Sequence, residues 1–203
     1  MRQPTIGIVD YGVGNLASVW HALHALQFRC RISSDPATLS ACDLLLLPGV
    51  GAFPAAMAAL HRTDLVVYLQ SEARRGRPMV GICLGMQLLA ESSTEQRPTP
   101  GLGLLPATVR ALRAGAWHIG WNEIEPARED PLFGSEWPQS VYFNHSYLVD
   151  AQPQHRVFIA RAGEPITAVV RKDNIVGIQF HPEKSQSTGR KMLHRVVEGL
   201  LCD

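Results

Sequence analysis

Five residues, Gly81-Ile82-Cys83-Leu84-Gly85, carry the strongest chemical signal in the chain. They follow the apolar pair Met79-Val80 and precede Met86-Gln87-Leu88-Leu89 at helical spacing, so they read as a strand-to-helix turn. Glycine two residues to either side of the cysteine is the form of a nucleophile elbow, with sulfur in place of a serine oxygen. A side chain thrust out at such a turn sits on strained backbone. Its neighbours two residues away would collide unless they lacked a Cβ. The N–H groups that open the following helix point at the sulfur and favour thiolate. The plain alternative is a buried free cysteine, and the paired glycines count against it.

A cysteine nucleophile needs a base and a group to orient that base. Of eight histidines, His181 stands out, because it follows the strand-like Gly177-Ile178-Gln179-Phe180 and precedes Pro182-Glu183. In extended backbone, residues two apart face the same side. His181 and Glu183 can therefore reach a common point, with Pro182 stiffening the link. Active sites of parallel α/β sheets lie at the carboxyl ends of strands, and Cys83 and His181 both fall at such ends. Attack on a carbonyl also needs oxyanion donors. One is the backbone N–H of Leu84. The turn Pro48-Gly49-Val50-Gly51 supplies a second: Gly49 and Gly51 let the backbone approach a ligand, and the Val50 N–H is the chosen donor. A Gly49–Val50 peptide turned away at rest would leave that hole unmade.

A second motif competes. Gly12-Val13-Gly14-Asn15-Leu16-Ala17 fits G-x-G-x-x-A between a strand and a helix, and Asp35 lies at the distance expected of a ribose ligand. Taken alone it says dinucleotide binding. It leaves the cysteine turn and the His-Pro-Glu stretch unexplained.

The elements that must hold these residues follow from the apolar pattern. Thr5–Asp10, Phe28–Ile32 and Leu44–Leu47 read as strands, the last apolar throughout as expected with both faces covered. Asn15–Leu26 reads as a helix, and Phe53–Arg75 as helical in two pieces. This alternation predicts an α/β fold, a mostly parallel central sheet flanked by helices. Ser92–Gly103 reads as a loop. Strands are expected at Ala107–Leu112, Val141–Phe143, Val157–Arg161, Ile166–Arg171 and Ile175–Phe180, the last three forming a small antiparallel C-terminal portion. Ser187–Leu201 reads as a closing helix. No linker divides residues 1–203, so one domain is expected.

With 19 basic and 18 acidic residues the net charge is +1, and no basic stripe argues for nucleic acid. No apolar run is long enough for a membrane span, and no signal peptide is visible, so a cytoplasmic protein is expected. Cys30, Cys42, Cys83 and Cys202 lack C-x-x-C spacing, so neither a metal site nor a disulfide framework is expected.

Gly81–Gln87 together with Phe180-His181-Pro182-Glu183 resembles the triad (class I) glutamine amidotransferases. Asp10–Asn15, Leu47–Phe53, His118–Asn122, Tyr142–Tyr147 and Gln179–Gln186 narrow the resemblance to the glutaminase subunits of imidazole glycerol phosphate synthase, from Ile6 to about Gly189. It implies a flavodoxin-like fold and a Cys83-His181-Glu183 triad that hydrolyses L-glutamine, with no cofactor. Ammonia would pass to a cyclase subunit, a (β/α)₈ barrel, which makes imidazole glycerol phosphate and AICAR in histidine biosynthesis. It also implies that Gln87, Glu95, His145, Ser146 and Tyr147 hold glutamine, and that Asn15, Trp121, Asn122 and Lys184 face the barrel. A Glu in the loop can pair with the substrate's ammonium group, a physical role for Glu95. Two places depart from the family pattern. Gly115-Ala116-Trp117-His118 stands where Lys-x-Pro-His is usual, and Asn144 where an apolar residue is usual.

Overall fold

The computed structural model describes residues 3–113, 117–134 and 140–202, so Gly115 and Ala116 of the departing segment lie outside the described residues. The first half alternates: β1 (Thr5–Val9), α1 (Leu16–Ala25), β2 (Arg29–Ser33), α2 (Pro36–Ser40), β3 (Leu44–Gly49), α3 (Phe53–Arg62), α4 (Leu65–Arg74), β4 (Met79–Cys83) and α5 (Leu84–Leu88). The second half is mostly strand: β5 (Ser92–Ser93), β6 (Thr99–Pro100), β7 (Ala107–Ala111), β8 (His118–Glu123), β9 (Glu125–Pro126), β10 (Ser140–His145), β11 (Tyr147–Ala151), β12 (Arg156–Arg161), β13 (Pro165–Lys172) and β14 (Ile175–Ile178). The helix α6 (Gln186–Cys202) closes the chain.

The main sheet has the order β2-β1-β3-β4-β14-β13-β12-β9. Its pairings from β2 to β14 are parallel, and those from β14 through β13 and β12 to β9 are antiparallel. Along β3 the leucines alternate between two cores. Leu44 and Leu46 join Ile6, Ile82, Phe180 and Val196 on one face, whereas Leu45 and Leu47 join Phe53, Leu60 and Met86 on the other. Helices cover both faces, which is why the run needs no polar residue.

The antiparallel part is larger than the sequence pattern suggests. β8 pairs with β10 as a separate ribbon, and β11-β7-β5-β6 form a third sheet. β8 and β11 were not anticipated, and the expected Ser92–Gly103 loop contains β5 and β6. Here β5, two residues long, pairs with β7 on one side and β6 on the other, so the backbone finds partners without any apolar pattern to announce it.

Asp35 has another occupation than the one its spacing suggested. Its Oδ1 accepts from the Ala37 N–H and its Oδ2 from the Thr38 N–H and hydroxyl, capping α2 with Pro36 in the first turn. These bonds hold its carboxyl below the ordinary range. In the glycine stretch, Gly12 (φ +81°) and Gly14 (φ +129°) take conformations that L side chains rarely adopt. Both glycines thereby serve the turn itself.

Candidate active site

Cys83 ends β4 and opens α5 at φ 54°, ψ −112°. A non-glycine residue there costs about 1–3 kcal/mol and persists only where its surroundings enforce it. The two glycines do so in different ways. A Cβ on Gly81 would lie 2.7 Å from the Gly85 carbonyl, while one on Gly85 would collide with the Leu47 carbonyl oxygen of β3. The elbow is therefore wedged against the neighbouring strand as well as against itself. Cys83 is buried.

His181 Nδ1 donates to Glu183 Oε1 at 2.8 Å, and both side chains are buried. This leaves Nε2 for Cys83, whose thiol acts on the ring's protonation. Burial disfavours the imidazolium, but the bonds to Cys83 and Glu183 and their charges outweigh it and raise the ring's pKa to about 9. The second carboxylate oxygen, Glu183 Oε2, is buried without a hydrogen-bond partner among the described residues. The whole turn is set by β10. The Tyr142 carbonyl accepts from the His181 N–H (2.9 Å), the Tyr142 N–H donates to Ser185 Oγ (2.9 Å), and that hydroxyl donates to the His181 carbonyl (2.7 Å).

The glycine-rich turn lies beside the thiol, since Gly49 is the register partner of Cys83. A Cβ on Gly49 would lie 2.7 Å from the Tyr11 hydroxyl and 2.8 Å from the Gly85 nitrogen, so only glycine fits this approach. The Tyr11 hydroxyl donates to the Pro48 carbonyl at 2.7 Å. Burial, and then the Cys83 charge, raise the pKa of that phenol. Tyr11 thus anchors the turn from beneath, a role that sequence reasoning missed although Asp10-Tyr11-Gly12 was noticed. Leu84 follows the thiol directly, Val50 is partly exposed, and Gly51 turns the chain at φ +98°.

Glu95 reaches the start of α3, where Oε2 accepts from the Phe53 N–H at 2.8 Å. That bond clips the Ser92–Gly103 segment to the residue just beyond the glycine-rich turn. Buried Gln87 donates through Nε2 to the Tyr147 carbonyl (3.0 Å) and to Gln179 Oε1 (3.3 Å). Gln179, fully buried, donates in turn to Cys83 Sγ at 3.9 Å. It was overlooked because a glutamine inside an apolar strand carries no local signal. His145 Nδ1 meets the same Tyr147 carbonyl at 2.8 Å, and the Ser146 carbonyl accepts from the Leu112 N–H.

The remaining predicted residues sit around this turn. Asn15 caps α1 by accepting from the Ser18 N–H, and Lys184 is exposed one residue past Glu183. Trp121 is 49% exposed and meets Tyr142 edge-on with ring centroids 6.1 Å apart. Ile119 and Trp117, at 58% and 69%, continue the same outward row. Asn122 points inward instead, with Nδ2 on the Arg161 carbonyl. The two departures from the family pattern touch each other, since Trp117 Nε1–H donates to Asn144 Oδ1 at 3.1 Å. The Asn144 carbonyl in turn lies 4.0 Å from Cys83 Sγ. A cavity of about 1180 Å³ lies by Leu132 and α6 and is lined by none of these side chains. Among the described residues, no group of His, Cys, Asp or Glu is placed to hold a metal ion. No described helix is long and apolar enough to cross a membrane.

Comparison with known proteins gives a consistent result. The glutamine amidotransferase class-I family matches residues 7–198. The imidazole glycerol phosphate synthase subunit HisH of Symbiobacterium thermophilum is 47% identical over 192 residues, covering 93% of this chain and 91% of that one. The HisH subunit of Streptococcus sanguinis is 42% identical over 195 residues, 94% of each chain. Among solved structures, PurLQS from Thermotoga maritima has a TM-score of 0.76 at 19% identity over 99% of both chains. A crystal structure of glutamine amidotransferase has a TM-score of 0.74 at 19% identity, covering 98% of this chain and 99% of that one. At that identity the likeness is one of fold.

Proposed function

We infer the function from one premise: the chain belongs to the class-I glutamine amidotransferase family and, within it, to the HisH subunits of imidazole glycerol phosphate synthase. It is a glutaminase, a single domain over residues 1–203, and it works in the cytoplasm beside a cyclase subunit. The observation that carries this reading is the buried Cys83 elbow facing His181, itself held by Glu183.

The chemistry follows from the protonation states. With the His181 pKa raised to about 9, the ring is an imidazolium at neutral pH, the form that a facing thiolate stabilises. The Cys83 thiolate attacks the carboxamide carbon of L-glutamine and pushes its electron pair onto oxygen. The Leu84 and Val50 N–H groups receive that oxyanion. As the carbonyl reforms, the C–N bond breaks and His181 hands its proton to the departing nitrogen, releasing ammonia. Water then attacks the γ-glutamyl thioester while neutral His181 takes its proton. Glutamate leaves, and thiolate and imidazolium are restored. Glu183 holds the ring with Nε2 towards sulfur throughout. Gln87 and Tyr147, with His145 and Ser146, shape the pocket, and the Glu95 carboxylate faces the substrate ammonium.

The ammonia passes to the (β/α)₈ cyclase, which makes imidazole glycerol phosphate and AICAR. The exposed row Trp117, Ile119 and Trp121 supports a docked partner on this side, because exposed apolar residues gathered in one patch mark interaction sites. Asn15 and Lys184 border it, while Asn122 faces away from it. Exposure to a glutamine-like chloroketone followed by mass spectrometry tests the reading. A single adduct on Cys83, suppressed by excess glutamine, is expected; an unmodified Cys83 would contradict it.

A further inference from the structure

One chain of hydrogen bonds of fixed polarity runs from the outward strand β8 to the nucleophile. Its outer end is Asn122. The Asn122 amide is oriented by main chain alone, since Nδ2 donates to the Arg161 carbonyl (2.9 Å) and Oδ1 accepts from the Glu123 N–H (2.8 Å). The same Nδ2 lies 3.0 Å from His118 Nε2, which must therefore accept. At the inner end the Tyr147 carbonyl can only accept, so His145 Nδ1, at 2.8 Å, must carry a proton. Between them, His118 Nδ1 and His145 Nε2 are 2.9 Å apart. With His118 Nε2 accepting, its proton sits on Nδ1 and is donated to His145 Nε2. Both rings are thus neutral and both carry the proton on Nδ1. A second proton on either ring would set two donors face to face.

The Tyr147 carbonyl is where this chain meets the pocket. It also accepts from Gln87 Nε2, whose other proton goes to Gln179 Oε1, leaving the Gln179 amide nitrogen towards Cys83 Sγ. Turning either glutamine amide over would set oxygen against oxygen or against the thiolate. We propose that His118 is a positioning residue of the glutaminase site: through His145 it fixes the Tyr147 carbonyl, and thereby the Gln87 and Gln179 amides that present an N–H to Cys83. Both histidines are buried, and His118 stacks on Phe143 with ring centroids 4.4 Å apart, so water does not substitute for the missing partner. Burial also lowers the pKa of both rings, that of His145 to about 4, in keeping with a chain that holds no charge. Without the His118 proton, His145 is free to move its own proton to Nε2. Its Nδ1 lone pair would then face the Tyr147 carbonyl and push apart the two acceptors.

The inference rests on the glutaminase reading. The test uses the complex with the cyclase subunit, assayed for glutamate at saturating glutamine. His118→Phe keeps the stacked shape and removes both bonds; kcat should fall on the order of tenfold or more, with KM within about threefold. His118→Gln can accept and donate with the same polarity and should recover most of the loss. Nitrogen-15 NMR of the full wild-type chain should show both rings with the proton on Nδ1. A His118→Phe variant with wild-type kcat overturns the proposal, and so do equal losses in both variants or an Nε2 proton on either ring in the wild type. If wild type itself released no glutamate, the glutaminase reading would fail and this inference with it. If wild type is active and only the His118→Phe result disagrees, the inference alone fails.

Discussion

Glu183→Gln isolates the one negative charge that holds the proposed base. In the wild type, the bond from His181 Nδ1 to Glu183 Oε1 is 2.8 Å long and buried at both ends. A hydrogen bond to a charged group is worth about 1.5–3 kcal/mol, which is roughly 10- to 150-fold in kcat/KM. The amide also brings a donor into the buried surroundings of Glu183 Oε2, which has no partner among the described residues, so the upper part of that range is expected. The pH dependence gives a second, independent reading. His181 ordinarily titrates near 6.5; burial pulls it down, and Cys83 and Glu183 together raise it to about 9. The imidazolium therefore persists through neutral pH and is lost as pH rises through about 9. Ammonia needs that proton to leave, so glutamate release by the complex should fall on an alkaline limb near 9. Removing the Glu183 charge leaves burial less opposed, so the limb should move to lower pH. The assay is the initial rate of glutamate release by wild type and variant across both limbs. A variant within about twofold of wild type, with its alkaline limb unmoved, would show that the Glu183 charge does not hold the base.

Three further outcomes follow from the same geometry. Because Cys83 holds φ 54°, Cys83→Gly should be more stable in urea unfolding than Cys83→Ala by about 1 kcal/mol, while neither releases glutamate. Tyr11→Phe strips the buried Pro48 carbonyl of its donor, so unfolding free energy should drop by about 1–3 kcal/mol and glutamate release should slow as the glycine-rich turn loosens. Trp121→Ala should weaken binding of the cyclase subunit in titration calorimetry by about tenfold or more if this exposed aromatic belongs to the proposed interface.

The site was legible where chemistry and backbone demand coincide. Gly81, Cys83 and Gly85 announce a turn because only glycine fits beside an elbow, and the structure adds that Gly85 also answers to β3. Residues 44–47 announce a doubly covered strand because polar residues have no place on either face. β8 was missed for the opposite reason. Its Ile119 and Trp121 point outward and its His118 and Asn122 inward, so the usual pattern is inverted and Gly120 interrupts it. Gln179 and Tyr11 were missed because their partners are remote in the chain: Gln179 meets Cys83 across 96 positions, and Tyr11 meets Pro48 across 37. The capping role of Asp35 was hidden because a spacing rule cannot see that Pro36 and Thr38 turn it into a cap. Local geometry is written locally, whereas a polar network is written only in the folded chain.

Cys83 runs a glutaminase whose chemistry serves a second subunit in the function proposed above. The most direct measurement is glutamate release by the isolated chain and by its complex with the cyclase subunit, each with wild type and Cys83→Ala. Little release is expected from the chain alone, a large increase in the complex, and none from Cys83→Ala in either. Equal release with and without the partner, or full release by Cys83→Ala, would contradict it.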